Sequence, residues 1–202
     1  MFRGKQIQSQ FAAHDDCLSG IQLRTFISLL GVLFLSHIRL GAADSSVSKE
    51  YQIKAAFLYN FTKFVEWPRS RFPDDSSPIV IGVLGQNPFG DELEKIVHDR
   101  KVNGRGIAIK IIDSPAEAAA VHVLFVKEGG ENYVTEMEKQ PYSGGILTVG
   151  ESEKFMSSGG MISFNMAADK VRFEISVKAA EKSGLKISAQ LQKLATRVER
   201  SP

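Results

Sequence analysis

The sequence predicts an α/β fold: a three-layer sandwich with a mainly parallel sheet, an antiparallel hairpin at its C-terminal edge, and helices on both faces. Three observations predict it. From Ile79 onward, apolar runs of strand length alternate with helical patterns. The runs IVIGVLG, VHVLFV and GGILTVG are almost continuously apolar, as strands buried on both faces are. Near the end, GGMISFNM and KVRFEIS stand only a few residues apart, which fits an antiparallel hairpin.

Residues 1–43 read as a secretory signal. Arg24 precedes the apolar run FISLLGVLFLS, and Gly41, Ala42 and Ala43 supply small residues before Asp44. A run of ~11 residues makes a helix of ~16 Å, short of a hydrocarbon core of ~30 Å. The alternative, an uncleaved anchor extending to Leu40, stays open. This segment holds four of the 25 basic residues and two of the 23 acidic ones, so 21 of each remain and the formal charge of the rest is zero. No basic stripe with interleaved aromatics stands out, and no nucleic-acid partner is expected. The only cysteine, Cys17, falls in the same segment, so residues 44–202 have no thiol for a disulfide. They form one domain.

Within that domain, Ser48 is the expected N-cap of a helix from Lys49 to Glu66, with Ile53, Phe57, Phe61 (or Asn60) and Phe64 on one face. Trp67 and Pro68 stop it. A polar loop, Arg69 to Pro78, leads into the strand Ile79–Gly85. Asn87 and Pro88 open a helix from Phe89 to Arg100, and NGRG is a turn before the strand Ile107–Ile112. Ser114 caps a short helix, Val121–Val126 is the third strand, and a helix covers Glu131 to Lys139. Gly144–Gly150 is the fourth strand, with a helical piece near Ser152–Met156. In the last segment Val171, Phe173 and Ile175 alternate with Arg172, Glu174 and Ser176, a strand pattern. Leu185, Leu191, Leu194 and Val198 then fall at helical spacings.

Sheets of this kind bind ligands beyond the carboxyl ends of their strands. Those ends are GQN (with Gln86 and Asn87), EGG (with Glu128) and GES (with Glu151), each leading toward a helix whose N-terminal amides could receive an anion. The same glycines and asparagine also suit plain turns. The loop GQNPFGDE lacks dinucleotide glycine spacing, and NGRG lacks the residues of a phosphate loop. His98 reads as a solvated helix residue and His122 as a strand residue facing a helix or solvent; neither has a partner at metal-ligand spacing. No G-x-S-x-G elbow occurs. No catalytic residue, metal or cofactor is therefore expected. Trp67 reads either as a core plug or as a ligand platform, and Arg172 either as a solvated arginine or as a contact for an anion or partner.

The stretches YQIKAAFLYNFTKFVEWP, PIVIGVLG, LTVGE and GGMISFNMAADKVRFEISVKAAEKSGLKISAQLQKLA together resemble the YfiR/HmsC-like family over nearly all of residues 44–202. The resemblance implies a small, Rossmann-like, non-enzymatic periplasmic regulator. Such proteins bind the periplasmic sensor portion of an inner-membrane diguanylate cyclase and hold it inactive, which lowers cyclic di-GMP and biofilm formation. It also implies that a small-molecule ligand could be a partner; a homodimer is a separate expectation for this chain. Trp67, Arg172, Gln86, Asn87, Glu128 and Glu151 are the candidate contacts; a small-solute sensor is the alternative function. Two departures mark this chain. It lacks the cysteines whose disulfides tune well-known relatives, and Glu66 is acidic where some relatives are basic.

Overall fold

The computed structural model describes residues 42–140 and 144–200. The chain divides into two units, Met1–Ser46 and Val47–Pro202. The expected signal, residues 1–43, lies outside the described residues but for its last two, and so does Cys17.

Helix α1 (Ala42–Phe64) begins before the expected cap, so Ser48 lies inside the helix rather than at its end. Its buried stripe also differs from the expected one. Lys54, Ala55, Leu58, Phe61 and Thr62 are buried, whereas Ile53 is 39 % exposed and Phe57 and Phe64 are half-buried. A lysine in the stripe hides it from a hydropathy reading. Phe57 still packs, with ring centroids 5.9 Å from Phe164 and 5.4 Å from Phe173. The chain passes through β1 (Val65–Glu66) and a 3-10 turn at Arg69–Arg71 into β2 (Ile79–Leu84).

Then follow α2 (Glu92–Val97), β3 (Lys101–Val102), β4 (Arg105–Ile112), a 3-10 helix at Pro115–Ala120, β5 (Val123–Val126), α3 (Glu131–Glu138) and β6 (Leu147–Gly150). Helix α2 is shorter than expected at both ends, and residues 152–156 form turns. The hairpin is β7 (Ile162–Ala167) and β8 (Lys170–Ser176). After it come α4 (Val177–Lys182), β9 (Lys186–Ile187), α5 (Ala189–Leu194) and β10 (Arg197–Glu199).

Eight strands form one sheet in the order β10-β8-β7-β6-β5-β2-β4-β3. β4, β2, β5, β6 and β7 run parallel, β7 and β8 antiparallel. The three-layer α/β class holds, and two short strands extend it. β3 pairs antiparallel with β4 at one edge, and β10 lies parallel outside β8 at the other. Val198 thus belongs to a strand, and Leu194 at the end of α5 is 63 % exposed, so the expected single helical tail is two short helices and a strand.

Burial on both faces explains the continuous apolar runs. In β5, Val123 and Phe125 join a core with α1, α2, α4 and α5, while Leu124 and Val126 join a second core with α3 and Phe155. Each fully buried side chain of this size contributes about 1.5–3 kcal/mol. Close approach needs glycine at two places around Phe155: a Cβ on Gly150 or on Gly160 would lie 2.2 Å from its ring. The tail is tied back to the start of the domain. β9 pairs with β1, the Ser188 N–H donates to the Phe64 carbonyl, and the Ser188 hydroxyl caps α5 by accepting from the Leu191 N–H.

Candidate functional site

The parallel order β4-β2-β5-β6 reverses direction between β2 and β5, the place where such sheets open a crevice at their carboxyl ends. That end carries a buried charged cluster. Lys54 on α1 is 5 % exposed, and its ammonium donates to Glu151 Oε2 at 2.6 Å and pairs with Glu50 one turn away. The Tyr51 hydroxyl donates to Glu151 Oε1 at 3.0 Å, and the Glu128 backbone N–H approaches the same oxygen at 3.4 Å. Burial first, and the negative charge of Glu151 second, push the Tyr51 phenol above its ordinary value. Both oxygens of Glu151 are thus engaged inside the protein, where they fasten α1 to the end of β6.

Beside this cluster lies a concavity of about 420 Å³ lined by Glu128, Gly129, Glu131, Glu151, Ser152, Glu153 and Lys154. A neighbouring one of about 550 Å³ shares Glu151, Ser152 and Glu153 and continues past Asn165, Glu174 and Arg197. The anion-receiving amides expected here are engaged by the chain's own carboxylates. Glu151 receives the Glu128 N–H, and Glu131 Oε1 accepts from the Gly129 N–H at 3.2 Å. The Ser152 hydroxyl and nearby amides hold the Glu131 carboxyl below the usual carboxylate range. The crevice is acidic.

Of the six candidate contacts, the structure brings Glu128 and Glu151 together. Asn87 serves its own turn: its side chain accepts from the Phe89 N–H at 2.9 Å and donates to the Gly90 carbonyl at 3.0 Å. Gln86 is exposed beside it. Arg172 is exposed on β8, directly across from Asn165 in the hairpin register.

Trp67 lies at the opposite, amino-terminal end of the sheet, in a cluster that the sequence reading missed. The Trp67 indole N–H donates to the His122 carbonyl at 3.1 Å. His122 precedes β5 and is buried, not on a strand face toward solvent. Phe72 stacks on its ring with centroids 4.4 Å apart, and the Val80 N–H donates to its Nδ1 at 3.1 Å. Arg71 donates to the Val121 carbonyl at 2.6 Å, and the Arg105 guanidinium lies 3.9 Å from the Phe72 ring centroid. Burial first, then the charge of Arg71, lower the His122 pKa to about 4. Trp67 is half-buried in this cluster and held by its indole hydrogen bond. His98, by contrast, is solvated as expected, 3.2 Å from Asp99.

Among the described residues, no group of three or more His, Cys, Asp or Glu is placed to hold a metal ion. No helix among them is long and apolar enough to cross a membrane.

A family model described as YfiR/HmsC-like matches residues 51–196. A conserved domain protein from Vibrio cholerae O1 biovar El Tor is similar in structure, with a TM-score of 0.48 and 11 % identity over 74 % of this chain. The chain spans 60 % of that protein's length. No curated protein matches the chain.

Proposed function

The chain belongs to the YfiR/HmsC-like family of periplasmic, regulatory rather than catalytic proteins of cyclic di-GMP signalling, and from that membership we propose that it binds the periplasmic sensor portion of an inner-membrane diguanylate cyclase and holds the cyclase inactive. The family match over residues 51–196 carries the reading. Both Glu151 oxygens accept hydrogen bonds from the chain itself, so this carboxylate serves to hold α1 on the sheet. The protein acts by occupancy, and its affinity rests on a few anchors. Arg172, exposed on the polar side of the hairpin, is one candidate anchor. Export by residues 1–43 and signal cleavage are parts of the same proposal.

Calorimetry with the purified protein and the periplasmic portion of the cyclase tests this. A saturable one-to-one heat that Arg172→Glu weakens supports the reading, and no heat at any accessible concentration overturns it.

A second reading, a small-solute sensor, draws on the crevice at Glu128 and Glu151. Its lining of four carboxylates and one lysine favours a cationic solute. A rise in melting temperature with such a solute would support it by mass action.

A further inference from the structure

The two edges of the sheet are built differently. At one edge, β10 is three residues long and shows Arg197 and Glu199 to solvent, the short, charged edge that discourages strand addition. At the other, β4 is eight residues long, and β3 pairs only with Arg105 and Gly106. Among the described residues, the outer edge from Ile107 to Ile111 makes no backbone ladder beyond its pairing with β2. That open stretch is Ile-Ala-Ile-Lys-Ile. Its one charge is Lys110, and Ile111 is 41 % exposed. Unpaired N–H and C=O groups flanked by β-branched side chains form a template for another strand.

We propose that this edge pairs antiparallel with the same edge of a second copy of the chain, about a twofold axis through Ile109. The strand is complementary to itself in that register. Ile109 faces its own copy, and Ile107 faces Ile111, which covers the exposed isoleucine on the α2 side. Lys110 faces Ala108, so no like charges stand opposite one another, and each Lys110 keeps its own Glu117 at 3.9 Å. The length also fits, because β3 closes the edge at Gly106 and the strand ends at Ile112, leaving the five residues this register uses. A registry shift by one residue would place isoleucines of the two copies on opposite faces. Five residues from each copy bury less than a standard interface, so the dimer is weak and concentration-dependent. This inference stands apart from the cyclase reading and survives its failure.

Sedimentation velocity over a concentration series tests it on the purified chain. The expected result is a monomer–dimer equilibrium that Ala108→Lys weakens roughly tenfold, by setting two lysine pairs across the axis, and that Ala108→Glu tightens. Both variants should melt as the parent does. On a Cys17→Ser background, Ile109→Cys should trap a covalent dimer on oxidation. Ile111→Cys should not, its two copies lying ~14 Å apart along the strand. A monomer at all concentrations up to roughly 1 mM, a dimer indifferent to the sign of charge at Ala108, or equal trapping at both cysteines would each overturn the proposal.

Discussion

His122 accepts the Val80 N–H on Nδ1, an arrangement that requires the neutral ring. Protonation would turn that acceptor into a donor facing a donor and add a charge beside Arg71. With its pKa lowered to about 4 in the folded protein, the unfolded chain binds the extra proton first. Stability from this group is complete above about pH 6.5 and falls as pH drops toward 4, by up to roughly 3 kcal/mol. Replacing His122 with Asn keeps an acceptor for Val80 and removes the titration. Urea unfolding between pH 7 and 4 should show a flatter acid limb for His122→Asn than for the parent. Lys54 gives a second test at this scale. Lys54→Met leaves Glu151 buried and short of its cation, and should cost about 3 kcal/mol, while Lys54→Met with Glu151→Gln should recover most of the loss. Glu151 was named from the sequence as a candidate contact, but Lys54 was not. A buried lysine reads as a surface residue until its partner, 97 positions away, is brought beside it.

At the scale of elements, turn chemistry and close packing set the sharpest limits. Ala168 and Asp169 both take positive φ, 49° and 57°, in the two-residue turn between β7 and β8. Alanine disfavours that region and aspartate tolerates it less well than glycine, whereas the corresponding β3–β4 turn uses Asn103 and Gly104. Ala168→Asn with Asp169→Gly should therefore raise stability by about 0.5–1 kcal/mol in thermal melts. Gly160→Ala should do the reverse, because its methyl group would enter the Phe155 ring. A loss of about 1–3 kcal/mol is expected, with Phe155→Leu in the same chain relieving part of it. The strands were legible because burial on both faces leaves an apolar run and burial on one face leaves alternation, as at Val171, Phe173 and Ile175. The stripe of α1 was not, because Lys54 and Thr62 occupy core positions and an exposed Ile53 imitates one. β1, β9 and β10 escaped notice as well. Strands of two or three residues are too short to show a period, and the partners across the sheet decide them.

In the whole molecule, the C-terminal tail closes the domain. β9 pairs with β1 at the end of the first helix, the Thr196 N–H donates to the Phe173 carbonyl, and β10 extends the sheet beyond β8. Removing residues from Ser188 onward should strip the Phe64 and Phe173 carbonyls of their tail donors, take Leu191 from the core and prevent cooperative unfolding, which a loss of the sigmoidal thermal transition would show. The split between an acidic crevice at one end of the sheet and the Trp67–His122 cluster at the other means that the candidate contacts do not form a single patch. Chain position alone could not reveal that, since strand direction assigns each residue to its end. Repression of a cyclase has a direct measure: intracellular cyclic di-GMP after clean deletion of the gene, complemented by the full chain or by residues 44–202 alone. A rise on deletion, reversed by the full chain and not by the version lacking residues 1–43, is the expected result. Unchanged cyclic di-GMP across growth conditions, or equal rescue by the unexported version, would contradict the role of periplasmic brake.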